Sequence, residues 1–233
     1  MSNRSQSTLN ASPPAPARKI ADSRTRLLEA MLGAIWERSY GAASVEAICE
    51  RADVRKGTFY HFFKSKAALA MAAMEHFWER HSQPALDEIF SVDRPPLKRF
   101  ERLIGYWYQH TVECQREKGR VLGCPYFNLG AETASVEPEL ATKVREILDR
   151  YQAQLEVTLE EARLAGDIQI GDAAETAGSL FSLIEGCSMQ ARIHDDPERV
   201  RHFSEAFGRV IGAPLDPDFS TANLPSRPEP DEH

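Results

Sequence analysis

Apolar residues recur every three or four positions through most of the chain, a spacing typical of amphipathic α-helices. The first clear stripe lies on a helix predicted to end near Gly41, and it comprises Leu27, Leu28, Met31, Leu32, Ile35 and Trp36. A longer stripe precedes the helix stop Gly166, and it comprises Val144, Ile147, Leu148, Tyr151, Leu155 and Leu159. The pattern predicts an all-α protein.

Proline and capping residues mark where the other helices begin. The predicted starts are Ser65, Pro95 with Pro96, Pro125, Pro138, Asp172 with Glu175, and Asp196 with Pro197 and Glu198. The helix that starts at Ser65 is expected to run toward Pro84, and it is long enough to connect an N-terminal group of short helices to a larger C-terminal group.

Residues 44–69 predict two short helices separated by a sharp turn, followed by the start of a third. Ser44 can cap the first of these helices, and Asp53 lies in the turn, where aspartate tolerates left-handed backbone. The second helix is expected to be anchored from behind by Phe59, Phe62 and Phe63. Its other positions carry groups that can reach phosphates and base edges, namely Arg55, Lys56, Gly57, Thr58, Tyr60 and His61.

This segment resembles the DNA-binding head of the TetR family of transcriptional regulators, which carries a Lys-Gly-Thr-x-Tyr pattern followed by Phe and Lys. The pattern is matched here by Lys56, Gly57, Thr58, Tyr60 and Phe62, with the final lysine divided between Lys64 and Lys66. The resemblance covers about residues 20–75. Two positions depart from the family, because Asp53 stands where glycine is usual and Arg55 where serine is frequent.

The resemblance implies a double-stranded DNA operator as a partner. It assigns DNA contacts to Ser44, Arg55, Lys56, Gly57, Thr58, Tyr60, His61, Lys64 and Lys66. Phosphate contacts are expected from Thr58, Tyr60 and Lys66, and contacts at or near bases from Arg55, Lys56 and His61.

Charge is divided unevenly along the chain. The whole chain has 28 Lys and Arg against 35 Asp and Glu, which gives a net charge of −7. Residues 18–66 contain 10 basic and 6 acidic side chains, a net of +4, whereas residues 67–233 contain 17 and 29, a net of −12. Because an acidic body repels DNA, binding is confined to the positive head, which favours a site-specific reader over a protein that coats DNA.

We predict a disordered leader over residues 1–19, a helix-turn-helix domain over 20–66, a helical ligand-binding and dimerisation domain over 67–213, and a disordered tail over 214–233. The sequence has no apolar signal peptide and no run of 18 apolar residues, so a cytoplasmic protein without a membrane partner is expected. The four cysteines show no metal-ligand spacing.

The last two predicted helices carry apolar stripes interrupted by small residues. The candidate dimerisation residues are Leu180, Ile184, Ala191, Phe203, Phe207 and Val210. These side chains can equally form intramolecular core. In the TetR-like proteins that the chain resembles, the final two helices pair across a two-fold axis, and this implies a homodimer on a palindromic operator.

A small-molecule pocket is expected in the larger domain, where aromatic and a few polar groups recur. Its candidate residues are Tyr106, Trp107, His110, Cys124, Tyr126, Phe127, Asn128, Phe181 and Cys187. Residues 123–132 also resemble the Gly-Cys-x-x-x-Asn-Leu-x-x-Glu segment of a TetR subgroup that includes sensors of acrylate-like and other electrophilic compounds.

Cys124 directly precedes a predicted helix start, where the helix dipole favours a thiolate. Attack of that thiolate on an electrophile, or its oxidation, is one hypothesis for induction. The alternative is a buried thiol that packs as a small apolar side chain.

These patterns favour a ligand-responsive regulator, with repression implied by the family, that a small-molecule inducer releases from DNA. The chain has no Gly-x-Ser-x-Gly, His-Glu-x-x-His or glycine-rich phosphate loop, so no catalytic residue, metal site or cofactor is predicted. The alternative is a helical adaptor whose aromatic motif packs against another protein, which would leave the positive head and the Lys-Gly-Thr-x-Tyr spacing unexplained.

Overall fold

The computed structural model describes residues 15–220, which form α-helices and connecting loops and contain no strand. The helices are α1 (Ala15–Glu37), α2 (Val45–Arg51), α3 (Lys56–Phe62), α4 (Lys66–Phe77), α5 (Gln83–Ile89), α6 (Pro96–Lys118), α7 (Pro125–Thr133), α8 (Pro138–Ala165), α9 (Ala173–His194), α10 (Glu198–Arg201) and α11 (Phe203–Ile211). The predicted all-α fold is confirmed.

Helices α1 to α3 form the head. Ser44 caps α2, because its Oγ accepts a hydrogen bond from the Ala47 amide at 3.1 Å. Asp53 has a φ of 50° in the turn before α3, and the predicted left-handed conformation is therefore confirmed. Leu27, Ile48 and Phe59 are buried where the three helices meet, so each head helix contributes to one small core.

Helix α4 leaves the head and continues into the body. Ser65 caps it through a hydrogen bond from the Ala68 amide at 3.0 Å, as predicted. Helical structure continues past Pro84. A π-helical turn at Trp78–Ser82 follows α4, and Pro84 occupies the first turn of α5. A first-turn proline is tolerated, since the amide hydrogen that it lacks has no partner within the helix there.

Helices α6 to α11 form the body around the long helix α8, which packs against α4, α6, α7 and α9. The predicted stop is found at Gly166, which has a φ of 82° and ends α8, and Gly119, with a φ of 72°, ends α6 in the same way. Asp172 caps α9 by accepting a hydrogen bond from the Glu175 amide at 2.8 Å. The final predicted helix is divided at His202 into α10 and α11.

The structure differs from the prediction at three boundaries. Helix α1 includes residues 15–19 of the predicted leader and ends at Glu37 rather than near Gly41, while residues 1–14 lie outside the described part. The predicted tail is ordered over residues 214–220, because Leu215 and Phe219 pack against the core. Residues 221–233 lie outside the described part. Of the helices within 15–220, none is long and apolar enough to cross a membrane.

Candidate DNA-binding surface and ligand cavity

Helix α3 separates an aromatic face from a polar face. Phe59 and Phe63 are buried in the head, as the sequence predicted, whereas Phe62 is only half-buried against the same core. The opposite face exposes predicted DNA-contacting residues, namely Arg55, Lys56, Gly57, Tyr60, His61 and Lys64. The Tyr60 side chain is 54% exposed although it touches the Phe59 ring edge to face, so its hydroxyl is available to a partner.

Gly57 lies at the second position of α3 and is exposed. A Cβ atom placed there would meet nothing within 4 Å, so packing within the chain does not require glycine at this position. The open space suits a backbone that lies close to a phosphate. Beside it, the Lys56 ammonium pairs with Glu46 of α2, and this hydrogen bond raises the pKa of Lys56 and lowers that of Glu46.

Besides Lys56, three of the predicted DNA contacts are occupied or partly covered within the chain. The Lys66 ammonium donates to the carbonyl oxygens of Tyr40 and Ala43, both at 3.1 Å, and lies 4.1 Å from the Tyr40 ring centroid. The ammonium is therefore engaged within the chain, where it bonds two loop carbonyls and lies against a ring, and its predicted phosphate contact stays a prediction. The Ser44 hydroxyl is used as a cap, and Thr58 is half-buried.

A cavity of about 130 Å³ lies where the head meets the body. Six of the predicted ligand-binding residues line it, namely Tyr106, Trp107, His110, Cys124, Tyr126 and Phe181. The sequence did not point to the rest of the lining, which is Trp36, Phe77, His81, Ser82, Ala85, Leu86, Phe90, Leu103, Gly123, Pro125, Tyr151, Leu155, Ile184 and Glu185.

The other three predicted ligand-binding residues lie outside the cavity wall. Asn128 donates from Nδ2 to the Leu122 carbonyl at 3.1 Å, and it thereby fixes the loop that leads into α7. Phe127 contributes its backbone amide, which donates to Cys124 Sγ at 3.4 Å. Cys187 is half-buried on α9, and burial raises the pKa of its thiol.

Aromatic rings form a continuous wall along one side of the cavity. The ring of Tyr126 lies 5.8 Å from Phe77 and 6.0 Å from Tyr151, and Tyr151 stacks on Phe181 at 6.5 Å. The Tyr126 hydroxyl is hydrogen-bonded to Ser82 Oγ at 3.0 Å. Burial raises the pKa of Tyr126 and of Tyr151 well above the usual value, so both phenols remain protonated.

Cys124 and Glu185 meet at the cavity. Cys124 is the N-cap of α7 as predicted, yet burial and the neighbouring Glu185 raise the pKa of its thiol well above the ordinary range. The expectation of a stabilised thiolate is therefore wrong for this structure, because desolvation and a nearby acid outweigh the helix start. Burial also raises the pKa of the Glu185 carboxyl to about 7, while the bond with Cys124 lowers it.

The cavity wall is connected directly to the head. Trp36 belongs to α1, lines the cavity and donates from Nε1 to the Gly123 carbonyl at 2.7 Å. Phe77 of α4 also lines the cavity and touches the Trp36 ring edge to face at 5.5 Å. A second link comes from Glu132 of α7, which accepts hydrogen bonds from the backbone amides of Tyr40 at 2.9 Å and Gly41 at 2.5 Å.

A third link joins α4 to α8. Glu75 of α4 accepts from Arg150 at 2.7 Å and from Lys143 at 3.0 Å, and the hydrogen bond from Arg150 lowers the pKa of the Glu75 carboxyl. The Arg150 guanidinium also lies 5.3 Å from the Trp78 ring centroid. The head helix α1 and the connecting helix α4 are thus both attached to the walls of the body.

Most of the predicted dimerisation residues lie inside the chain. Leu180, Ala191, Phe203 and Phe207 are buried, and Ile184 lines the cavity, so these five side chains pack within the chain. This packing favours the alternative of intramolecular core for them, and their part in dimerisation stays a prediction. Val210, which is 39% exposed, keeps an outward position. The exposed residues of α9 are mostly small or polar, and they are Ala174, Glu175, Ser179, Ser182, Gly186, Gln190, Ile193 and His194.

The two parts of the chain match two family models. Residues 27–73 match the model described as "Bacterial regulatory proteins, tetR family", and residues 96–207 match "Tetracyclin repressor-like, C-terminal domain". The chain belongs to the TetR family. As a TetR-family member it is a helix-turn-helix DNA-binding regulator with a C-terminal ligand-binding domain, and it is not an enzyme.

Individual TetR-family relatives have low sequence identity to this chain, but the alignments cover most of both proteins. Transcriptional regulator AcuR of Cereibacter sphaeroides is 25% identical over 185 residues, which are 78% of this chain and 82% of the relative. The transcriptional repressor NemR of Escherichia coli is 25% identical over 194 residues, 83% of this chain and 96% of NemR. The crystal structure of a TetR regulatory protein from Rhodobacter sphaeroides superposes with a TM-score of 0.71 at 26% identity, covering 81% of this chain and 98% of that one.

Proposed function

We propose that this protein is a transcriptional repressor that binds a palindromic operator as a homodimer and leaves it when a small molecule enters the cavity. The observation that carries the proposal is that Trp36 belongs both to the head and to the cavity wall. This side chain belongs to a head helix, forms part of the cavity wall and holds the loop that leads to Cys124 through its hydrogen bond to Gly123. A molecule in the cavity therefore touches an element of the DNA-binding head itself.

The exposed face of α3 supports a division of labour in DNA binding. Tyr60 and Lys64 are assigned to phosphates, since a hydroxyl and a lysine bind them without regard to sequence. Arg55 and His61 are assigned to base edges in the major groove, where a guanidinium or an imidazole can distinguish base pairs. Gly57 lets the backbone of α3 approach the DNA. Lys66 is left out of the surface, because its donors hold the loop before α2.

The outward face of α9 supports the homodimer. Small residues recur there, and a Cβ placed on Gly186 would meet nothing within 4 Å in the chain, so another helix can approach closely at this point. Ile193 on the same helix is 65% exposed, and Val210 on α11 adds a second apolar group. A two-fold axis beside α9 would place two heads on successive major-groove faces, which supports a palindromic operator.

Release of the operator on ligand binding follows from thermodynamic linkage. A molecule that binds more tightly to the DNA-incompetent arrangement of the heads must lower the affinity for the operator by the same factor. A molecule in the cavity contacts Trp36 and Phe77, and both residues lie on helices that continue into the head. Its binding free energy therefore depends on how the heads are arranged. An electrophile that alkylates Cys124 is a weaker candidate, since the raised pKa keeps the thiol protonated.

The proposal is tested by fluorescence anisotropy of the full chain with a labelled fragment from upstream of its own gene and with a scrambled fragment, at near-physiological salt. We expect tight binding to the native fragment alone. Tyr60→Ala should weaken both fragments similarly, whereas His61→Ala should also reduce the preference for the native one. Equal, weak binding of the two fragments, unchanged by either substitution, would favour a helical adaptor and contradict the repressor.

A further inference from the structure

Glu185 is a buried acid with an unused acceptor. Its side chain lies on α9, is 5% exposed and forms part of the cavity wall. The carboxyl shares a hydrogen bond with the Cys124 thiol, but its Oε2 atom is buried without a hydrogen-bond partner among the described residues. A buried carboxylate oxygen in this position is destabilising unless a donor reaches it.

The rest of the cavity wall is largely aromatic and includes two histidines, His81 and His110. Among the described residues of its wall, Glu185 is the single acid and neither lysine nor arginine is present. The rings of Tyr126, Tyr151 and Phe181 follow one another on one side. Aromatic faces attract cations through their negative quadrupole, and the attraction grows when water is excluded.

We propose that the cavity selects a small organic cation, a protonated primary or secondary amine on an apolar body, whose N–H group donates to Oε2 of Glu185. The apolar body packs on the rings of Tyr151 and Phe181. This inference deepens the proposed function, because it names the chemical class of the molecule that acts at the cavity. It differs from what residues 123–132 suggest by resemblance, since an acrylate-like anion would lie against Glu185 without a compensating charge.

The electrostatic state of Glu185 agrees with this assignment. Burial raises the pKa of the carboxyl to about 7, because the ionised acid loses its hydration and has no charged partner among the described residues. An ammonium group supplies that partner and the missing donor together, and charge-assisted hydrogen bonds of this kind are stronger than neutral ones. Neither Ser82 nor Tyr126 is a hydrogen-bond partner of Oε2 in the described structure, where their hydroxyls are bonded to each other.

The test uses three probes with the same ring and different charge, which are benzylamine, benzyl alcohol and benzoate. Isothermal titration calorimetry on the full chain, without DNA, should give a dissociation constant for benzylamine at least about tenfold lower than that for benzyl alcohol, because the ammonium makes a charge-assisted bond. Benzoate should bind least. This ranking is measured on the unmodified protein and needs no variant.

Glu185→Gln keeps the shape of the side chain and removes its charge. We expect this variant to lose the preference for benzylamine over benzyl alcohol while benzyl alcohol binds as before. Glu156→Gln, at an exposed position of α8, is the matched control and should preserve the preference. Circular dichroism of both variants verifies that the helices are intact.

Tightest binding of benzoate, an unchanged preference in folded Glu185→Gln, or binding of none of the three probes would each overturn the cation assignment. These outcomes are separate from a failure of the proposed function. Amine binding by a chain that ignores its upstream DNA would contradict the repressor and leave the cation site standing. Specific operator binding that responds to benzoate but not to benzylamine would support a ligand-responsive regulator and overturn the cation site.

Discussion

Lys64 and Lys66 are two residues apart, and either can match the final lysine of the motif, yet their side chains lie in different surroundings. Lys64 is exposed beyond the end of α3, whereas Lys66 donates to two loop carbonyls and stacks on Tyr40. We expect Lys66→Ala to lower the free energy of unfolding by about 1–2 kcal/mol, since two charge-assisted hydrogen bonds and a cation–π contact are lost. Lys64→Ala should leave stability unchanged and weaken operator binding.

Urea denaturation and anisotropy with the native fragment, applied to both lysine variants, separate the two roles. If Lys66→Ala retains full stability and Lys64→Ala retains full affinity, the assignment of the two side chains is contradicted.

Cys124 illustrates how tertiary surroundings reverse a local effect. Its position at the start of α7 favours a thiolate, but burial and Glu185 raise the pKa of the thiol. We therefore expect iodoacetamide at pH 7 to label Cys124 at less than about one tenth of the rate of an unhindered cysteine, because the thiolate is the reactive form. Peptide mass spectrometry over time measures the rate, with Cys124→Ser to verify the peptide. Labelling of Cys124 ahead of Cys187, which is half-buried like Cys124, would show that the local effect dominates.

At the scale of elements, α1 and α7 connect the cavity to the head. Ala85 is buried in the cavity wall, so Ala85→Phe fills space there in place of a ligand. We expect this variant to bind the operator about tenfold more weakly, which lies within the usual range of allosteric coupling. Trp36→Phe removes the donor to Gly123, and in that background the effect of Ala85→Phe should be smaller.

The two substitutions at the cavity form a double-mutant cycle read by operator anisotropy. Ala165→Phe, at an exposed position near the end of α8, is the size-matched control and should not change affinity. Additive effects of Trp36→Phe and Ala85→Phe would mean that the hydrogen bond to Gly123 does not transmit the change.

At the scale of the whole molecule, the proposed two-fold contact passes through Gly186. Because an added Cβ meets nothing in the chain, Gly186→Trp should leave the monomer folded while its indole keeps a second α9 away. Sedimentation analysis should then show a monomer that binds the operator weakly. Gly171→Trp is the matched control, since Gly171 is also exposed and open. A dimer that persists in Gly186→Trp would place the interface elsewhere.

Glu185 also sets a pH dependence for the stability of the folded chain. Its pKa is about 7 in the folded state against an ordinary value of 4.5, so the folded state holds this proton more tightly than the unfolded state. The contribution to stability is therefore fully present below about pH 4.5 and is lost as pH rises through 7. Glu185→Gln has no carboxyl to ionise, so its stability does not fall in this way. Its stability relative to the unmodified chain should rise by up to about 3 kcal/mol across that interval.

Urea denaturation of both proteins between pH 4.5 and 8 measures the difference and cancels other titrating groups. A difference that stays constant with pH would show that Glu185 ionises in the folded chain as it does in water.

Residues whose surroundings are local could be assigned from the sequence. Capping groups such as Ser44, Ser65 and Asp172 act within one helical turn, and the left-handed turn at Asp53 depends on adjacent backbone. The periodic burial of Phe59 and Phe63 likewise follows from α-helical spacing. These features, with the Lys-Gly-Thr-x-Tyr pattern, determined the helical head and the family.

Only the tertiary structure decided which apolar stripes face inward within one chain. Leu180, Phe203 and Phe207 have the same pattern in core as in an interface, so periodicity alone could not separate the two. The cavity is built from helices far apart in sequence, and Trp36 and Glu185 join it through long-range packing. An acid between apolar neighbours in α9 was the available signal for Glu185, but its missing partner exists only in three dimensions. The sequence by itself determined the helices and the DNA-reading head because those depend on near neighbours, whereas packing across the chain decided the cavity, its charge and its link to the head.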